Sequence, residues 1–535
     1  MTIGIVILVF LGRQTISQLD DLRPSIQSFI ASNTGFQVNL GLLSGEWPQL
    51  IPIIDIQSVE LIGSDQDSVL SLWGARADLD LFSSIRLGSP IWRDLVIDKL
   101  EINFIENNLG HWRLKGFNGE TDTDLNIILE PFLHSRHIRL KSLIVNLHSF
   151  SGQQTQVFGS DMLIENDDDF HRVQLSVNVS ENQSPAHLIV EAYGQLSDLD
   201  SFDANGYLKF EDLNFSKPLN MLTRSLMPDV SAQLDQYSIK TGGEIWIDVH
   251  PGERLDYKGS LSLSKLPLNW LADDALPISN IKTTLTGWYR FGNDWGAQLQ
   301  DLQFDLGSKT IDPINLLFTQ QLGSNWQEFD ISINHLNLAL ASDLIYEAKL
   351  LPVEALNNLK SVQPGGHISS LRMGRSDTGL YLMAHLDGSY MQPFSGIPGF
   401  KDVHGYIEVK DSKGLFHIAD NDGFEMYFPK SYRDYLTINE AKGTVYFDWQ
   451  SPNQRLVYSD MIYTKHEAGD SQLKFTIEQP LGGEKKAADF NLLIGARNLD
   501  LSLTKKYLPY TMPQRSSKWV REAIKQGNLN QFGLL

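Results

Sequence analysis

The sequence predicts a mainly β, mainly antiparallel chain, opened by a helix and interrupted by a few short helices. Three observations carry this. Apolar and polar residues alternate at period two through most of the 535 residues. Short Gly, Asn and Asp pairs punctuate the alternating runs. The alternation also breaks repeatedly, each time by one extra residue. Period-two alternation gives each strand one apolar and one polar face. It is clear in ARADLDLF (75–82), RVQLSVNVS (172–180), SLSLSKLPL (260–268) and GTVYFDW (443–449). Gly242–Gly243, Gly292–Asn293, Gly365–Gly366 and Asn421–Asp422 read as turns.

The break has one form: apolar-x-apolar-x-x-apolar-x-apolar. Ile54 and Ile56 lead to Val59 and Leu61; Leu95 and Ile97 lead to Leu100, Ile102 and Phe104. Ile138 and Leu140 lead to Leu143, Val145 and Leu147. Further copies are Leu208–Phe210 to Leu213–Phe215, Leu261–Leu263 to Leu266–Leu268, Ile331–Ile333 to Leu336–Leu338–Leu340, and Ile494–Ala496 to Leu499–Leu501–Leu503. A step of three turns every later side chain to the other face. A β-bulge, one extra unpaired residue, restores the face and bends the strand; a short break where the chain turns would do the same. Strands bent in the same place curl a sheet. If the sheet does not close, it forms a trough with an apolar lining and an outer face carrying Asp98, Lys99, Glu101, Lys141 and Ser142. The alternative on pattern alone is an ordinary sandwich core filled by bulged strands.

The N-terminal run MTIGIVILVFLG is apolar at Ile3, Ile5, Val6, Ile7, Leu8, Val9, Phe10 and Leu11. About ten residues of helix span ~15 Å, half of a ~30 Å hydrocarbon core. Residues 1–12 are therefore expected to be an incomplete membrane anchor whose start lies upstream, with a short buried leader as the other reading. Residues 13–35 show apolar residues at three- and four-residue spacing, Ile16, Leu19, Leu22, Ile26, Phe29 and Ile30, which predicts an amphipathic helix. Pro24 predicts a kink or break in it, with Asp20 or Asp21 capping a second segment. Two more helical stretches are expected, at about Ala341–Val362, split by Pro352, and in SSKWVREAIKQG near the C-terminus. Residues 36–535 are expected to form one elongated β body, the N-terminal part of a longer protein.

Composition excludes several functions. A formal net charge of −21 argues against nucleic acid, which needs basic clusters. With no cysteine, disulfide scaffolds, thiolate metal sites and Cys nucleophiles are excluded. There is no G-x-S-x-G, H-E-x-x-H or P-loop motif, so no enzyme and no cofactor are expected. His134 and His137 lack a nearby carboxylate in the sequence and read as a surface pair, and Asp167–Asp169 reads as a solvated turn. Alternation alone also permits an outer-membrane barrel, which the amphipathic N-terminal helix disfavours.

Three stretches resemble the YhdP family of AsmA-like proteins. The first is QLDDLRPSIQSFIASNTGFQVNLGLLSGEWPQLIPIIDIQSVEL (18–61), whose Leu19, Asp20, Arg23, Pro24, Gly35, Val38, Gly41, Leu43, Gly45, Trp47 and Pro52 fall on the family pattern. The second and most specific, residues 395–449, carries Gly396, Ile397, Pro398, Gly399, Gly405, Gly414, Phe428, Pro429, Gly443 and Trp449. The third, weaker, is KKYLP…SSKWVREAIKQGNL (505–529). The chain departs from the pattern in a short anchor and in Pro48 after the Trp. The resemblance implies a fold similar to that of chorein-type bridge proteins, a long repeating β-groove. It further implies an inner-membrane anchor, a body in the periplasm of a Gram-negative bacterium, and phospholipids conducted passively toward the outer membrane. On that reading Ile54, Ile56, Val59, Leu61, Leu95, Ile97, Leu100, Ile102, Phe104, Leu143, Val145 and Leu147 line the groove. Protein partners would meet the chain at either membrane. The alternative function is an AsmA-like scaffold or assembly factor for the outer membrane that conducts no lipid.

Overall fold

The computed structural model describes residues 12–14, 16, 18–34, 36–48, 51–63, 68–87, 91–106, 112–115, 135–150, 152, 154–167, 169–178, 184–194, 203–214, 239–266, 268, 276–291, 293–321, 328–349, 351–394, 397–451, 454–480 and 489–534. The anchor residues Ile3 to Leu11, with Gly35, His134, Asp168, Phe215 and Gly396, lie outside them. The chain divides into two compact units, Met1–Ser264 and Lys265–Leu535.

The first unit opens on a 3₁₀ turn, Leu19–Leu22, continued by helix α1, Arg23–Thr34. The change of helix type falls where Pro24 predicts it, with the ring in the first turn of α1. Asp20 caps no helix. Its carboxylate instead accepts the Leu43 N–H at 3.0 Å and the Arg23 guanidinium at 2.5 Å, tying the entry helix to the sheet. The strands follow: β1 Gln37–Leu40, β2 Leu43–Glu46, β3 Ile53–Ile62, β4 Ser68–Leu79, β5 Trp92–Glu106, β6 Trp112–Leu114, β7 His137–His148, β8 Gln154–Asp167, β9 Phe170–Asn178, β10 Ala186–Tyr193, β11 Asp203–Asn214, β12 Lys240–His250 and β13 Arg254–Leu266. Helix α2, Leu81–Leu87, stands between β4 and β5, so the alternation of 75–82 ends as strand at Leu79. Its start is fixed by Asp80, whose carboxylate accepts the Ser83 N–H at 3.0 Å. The strands join in one ladder: β1 and β2 both pair with β3, β4 lies between β3 and β5, β6 and β7 both pair with β5, and β7 to β13 pair in succession; β5–β7 is parallel.

The second unit contains β14 Ile278–Arg290, β15 Asp294–Leu306, β16 Lys309–Gln321, β17 Phe329–Ile333, β18 Leu336–Asn337, helices α3 Leu338–Glu347 and α4 Val353–Val362, then β19 Gly365–Ser376, β20 Gly379–Met391, β21 Gly399–Lys410, β22 Lys413–Asp420, β23 Phe424–Tyr427, β24 Leu436–Ile438, β25 Glu440–Asp448, β26 Gln454–Ser459, β27 Ile462–His466, β28 Gly469–Pro480, β29 Asp489–Asp500, helix α5 Gln514–Ala523 and β30 Asn528–Leu534. Pro352 N-caps α4, which is why the predicted helix is two. Leu338 and Leu340 belong to α3 and Leu501 and Leu503 to a 3₁₀ turn, so those two copies of the apolar pattern end outside strands. Gly242–Gly243 and Gly365–Gly366 are not turns but lie inside β12 and β19. They are needed for close approach: a Cβ on Gly366, at φ 93°, would strike the Gly388 carbonyl.

Inside eight strands one residue adopts the left-handed conformation, with φ between 50° and 64°: Gly74, Asp161, Asp212, Asn280, Asp301, Gly388, Asp402 and Asn498. All are Gly, Asp or Asn, the types that tolerate this region. Asp212 and Asn498 fall at the extra residue of two stuttered runs, while β3, β5, β7 and β13 take the same step without a left-handed residue. At Asp212 the ladder shows a bulge, two residues between Phe210 and Leu213 facing one residue of β12. At Asp161 it shows another against β9. Between β3, β4, β5, β7 and β8 the expected mismatch is absent: Ile56 pairs Ala75 and Ser58 pairs Trp73 in unbroken register, and so on across the five strands. Each strand carries the extra residue at the same height, so the bulges face each other and cancel. The second device, a short break, also occurs. β1 and β2 both pair with β3, β17 and β18 with β19, β22 and β23 with β21, and β26 and β27 with β25.

Asp420, at one of these breaks, is 1% exposed and takes the N–H groups of His404, Asp422 and Gly423 at 2.9–3.0 Å. His404 sits between Asp420 and Asp387, 3.2 and 3.0 Å away. Burial opposes its protonation, but Asp420, Asp387 and Asp422 outweigh that and raise its pKa. A raised folded-state pKa contributes stability that is complete below the unfolded value of about 6.5 and lost as pH rises through the folded value. The urea midpoint of the wild type should therefore fall between about pH 6 and pH 8 by more than that of His404→Gln. At the left-handed positions, Gly74→Ala should cost more than Gly252→Ala in urea unfolding. Both glycines have φ 64°, but a Cβ meets the Asp98 carboxylate at Gly74 and open space at Gly252.

Candidate functional site

The twelve residues predicted to line an apolar face are brought together in rows that cross the strands of the first unit. Ile54 and Leu95 both flank Ala77. Ile56 and Ile97 flank Ala75 in the next row. Beyond the left-handed position, Val59 and Leu100 flank Leu72, with Leu143 beside Leu100; Leu61 and Ile102 flank Leu70, with Val145 beside Ile102. Phe104 and Leu147 pair in the last row. Residues from both sides of the bend share one apolar cluster around Leu72, Ala75, Ile97, Leu100, Ile138 and Leu140, so the step of three keeps a single face. Leu61, Ile97 and Leu100 are buried; the other nine are half-buried. Among the described residues of this unit the strands form one ladder, so no separate sheet seals the face. The face continues through Val173 and Leu175 on β9, Leu188 and Val190 on β10, and Ile245 and Ile247 on β12.

The reverse face is polar and self-satisfied. Lys141 Nζ lies 2.7 Å from Asp98 Oδ1, and the Lys99 ammonium pairs with Glu101 and sits 4.4 Å from the Trp73 ring centroid. Asn146, buried, donates to Glu101 and Asn103 and accepts from Gln156, all at 2.9 Å. The buried Asn146 amide is thereby satisfied by its neighbours on the same face. His137 pairs with Asp94 at 3.4 Å, and no group of three metal-ligating side chains occurs among the described residues.

Sequence reading missed the partners that complete the rows: Leu70, Leu72 and Ala75 on β4 with Met162 and Ile164 on β8, which join the same cluster, and Ala77 on β4, which pairs with Ile54 and Leu95. On β4 the signal was present as Leu70–Leu72 followed by Ala75–Ala77 across Gly74. The motif residues shape joints. Trp47 packs against Gly12 so closely that a Cβ there would overlap its ring, and its carbonyl accepts the Arg13 Nε–H at 3.1 Å. Gly45 lies in β2, where a Cβ would be 2.7 Å from Ile16. Ile397 bridges Phe394, Pro398 follows it, and Gly399 opens β21 against Pro393. The Phe428 carbonyl accepts from Ser431 and Tyr432, and the Pro429 carbonyl accepts the Tyr510 hydroxyl at 2.6 Å.

These features define a class of β-sheet protein with an extended apolar face backed by a polar one. The family model described as YhdP protein matches residues 1–535, and the chain belongs to that family. It is similar to the intermembrane phospholipid transporter YhdP of Escherichia coli (strain K12), with 23% identity over 528 residues, covering 93% of this chain. The chain spans 39% of that relative's length. The relative is named a transporter, and the expectation that this chain is not an enzyme stands with it. No solved structure matches. No helix among the described residues is long and apolar enough to cross a membrane.

An open face and a sealed core differ in what a truncation costs. Ile97, 1% exposed, should lose about 2–5 kcal/mol as Ile97→Ala. Half-buried Val145 should lose about 1 kcal/mol or less as Val145→Ala. Equal losses in urea unfolding would mean that Val145 is sealed in a core.

Proposed function

We propose that this chain is part of a lipid-transport bridge that conducts phospholipids passively along its apolar sheet face. The observation that carries the reading is the single face of rows Ile54/Leu95 to Phe104/Leu147, nine of its twelve predicted residues half-buried, continuous across the bend. An apolar face of that extent needs an apolar occupant. Acyl chains on it keep their methylenes from water, each contributing about 0.8 kcal/mol. The polar reverse face, with its closed ion pairs, keeps the sheet soluble on the other side. Movement is driven by supply and removal of lipid at the ends and requires no nucleotide. Membership of the YhdP family and the name of the E. coli relative support phospholipid as the cargo. The body is placed by this reading in the periplasm of a Gram-negative bacterium, held at the inner membrane through the N-terminal apolar residues. Flow runs toward the outer membrane, and protein partners sit at either end.

The test is to place a photo-crosslinking amino acid at Val145, and at Lys141 as the reverse-face control, in cells whose lipids carry radioactive phosphate. Protein-bound label at Val145 and none at Lys141 is expected. Folded protein with no label at either position would overturn conduction and favour the scaffold role.

A further inference from the structure

The apolar face of the second unit is graded along its strands, and the gradient ends in a cation. The register of β14 to β21 sets out three successive rows on that face. The deepest is aliphatic: Leu285, Leu299, Leu316, Ile333, Leu371, Ala384 and Ile407 lie opposite one another in turn. Two residues along each strand, Ala297, Phe318, Ile331, Met373 and Leu382 form the second. Two further, the row reads Tyr289, Trp295, Gln320, Phe329, Arg375 and Leu380. Four residues of strand separate the first and third rows, about 13 Å. Here the face turns amphipathic. The Trp295 indole N–H donates to Gln320 at 3.0 Å, and Phe318 lies between Trp295 and Phe329 at ring distances of 5.0 and 6.3 Å. Aliphatic depth bordered by Trp, Tyr and Arg is how proteins meet the headgroup level of a bilayer.

Arg375 differs from its neighbours on the reverse face. Arg372 is bound to Asp330 at 2.6 Å, Lys410 to Glu408 at 2.8 Å and Lys413 to Asp448 at 3.7 Å. Arg375 is exposed and ion-pairs with no carboxylate among the described residues, although Asp377 lies two residues on. It is a cation on the apolar side, between Phe329 and Leu380, in a chain of net charge −21. We propose that this row is the headgroup border of the lipid face. The Arg375 guanidinium takes the phosphate diester of a glycerophospholipid, Trp295 and Phe329 flank the glycerol region, and the acyl chains run toward Leu371. This rests on the lipid reading above and adds an orientation to it: headgroups collect on one side of the sheet, at Arg375. A guanidinium fits the two free oxygens of a diester through paired N–H donors, which an ammonium does not.

The test uses the purified chain with phosphatidylglycerol carrying a photoreactive group either in its headgroup or at the end of an acyl chain, followed by peptide mapping. The headgroup probe should mark the Gln320, Phe329 and Leu380 peptides, and the acyl probe the Leu316 and Leu371 peptides. Arg375→Gln should lower the headgroup marking about tenfold, while Lys413→Gln leaves it unchanged. Circular dichroism checks that both variants fold. Headgroup marking that is unchanged in Arg375→Gln, or that falls around Arg372 and Lys410, would overturn the border while acyl marking near Val145 keeps the lipid face. Loss of headgroup marking in excess inorganic phosphate, with acyl marking intact, would make Arg375 a free-phosphate site and overturn it too. No marking by either probe in either unit would sink the lipid reading itself.

Discussion

Much of the structure depends on the height at which each strand bends. A strand that takes one left-handed residue turns its later side chains over, so the apolar set stays on one face only if the sequence steps by three at that point. If a single strand did this, its neighbours would lose register. In the first unit β3, β4, β5, β7 and β8 all take the step of three at the same height, left-handed at Gly74 and Asp161, with Gly74 facing Asp98 and Lys141 bound to Asp98 along the same line. The backbone cost is small because these positions are Gly, Asp or Asn in the strands that adopt φ of 50–64°. In the second unit the line is also polar: the Asp301 N–H donates to Asn315, and the Asn315 N–H donates to Asn334.

That constraint separates two chemistries. In each unit one side of the sheet collects the aliphatic rows; the other collects closed pairs such as Lys141 with Asp98 and Arg372 with Asp330. Exposed ion pairs of this kind contribute little to stability. Their effect is to keep the reverse face hydrated, which sets it apart from the apolar side. In a chain of net charge −21, a guanidinium on the apolar side that ion-pairs with no carboxylate among the described residues stands apart from Arg372, Lys410 and Lys413.

Much of this was legible in the sequence. The strands, the N-terminal helix and the two-part helix at Pro352 follow from periodicity and proline geometry. All twelve predicted lining residues fall on one face because a step of three is a local signal, written in each strand. Other parts were not legible. Gly242–Gly243 and Gly365–Gly366 look like turns, since a glycine needed for a close backbone approach and one needed for a turn are the same letter. Ala75 and Ala77 read as apolar positions of an alternating run, but only strand pairing places them between Ile56 and Ile97 and between Ile54 and Leu95.

The sequence by itself determined the fold class, the place of each bend and which residues are apolar on either side of it, because these depend on side chains a few positions apart in one strand. Tertiary structure alone decided whether a bend appears as a mismatch or cancels, since that depends on whether the neighbour carries its own extra residue: β9 lacks one opposite Asp161, and β5 has one opposite Gly74. It also decided that Arg375 lies in a row with Trp295 and Phe329. Those residues are far apart in the chain, and only strand register puts them side by side.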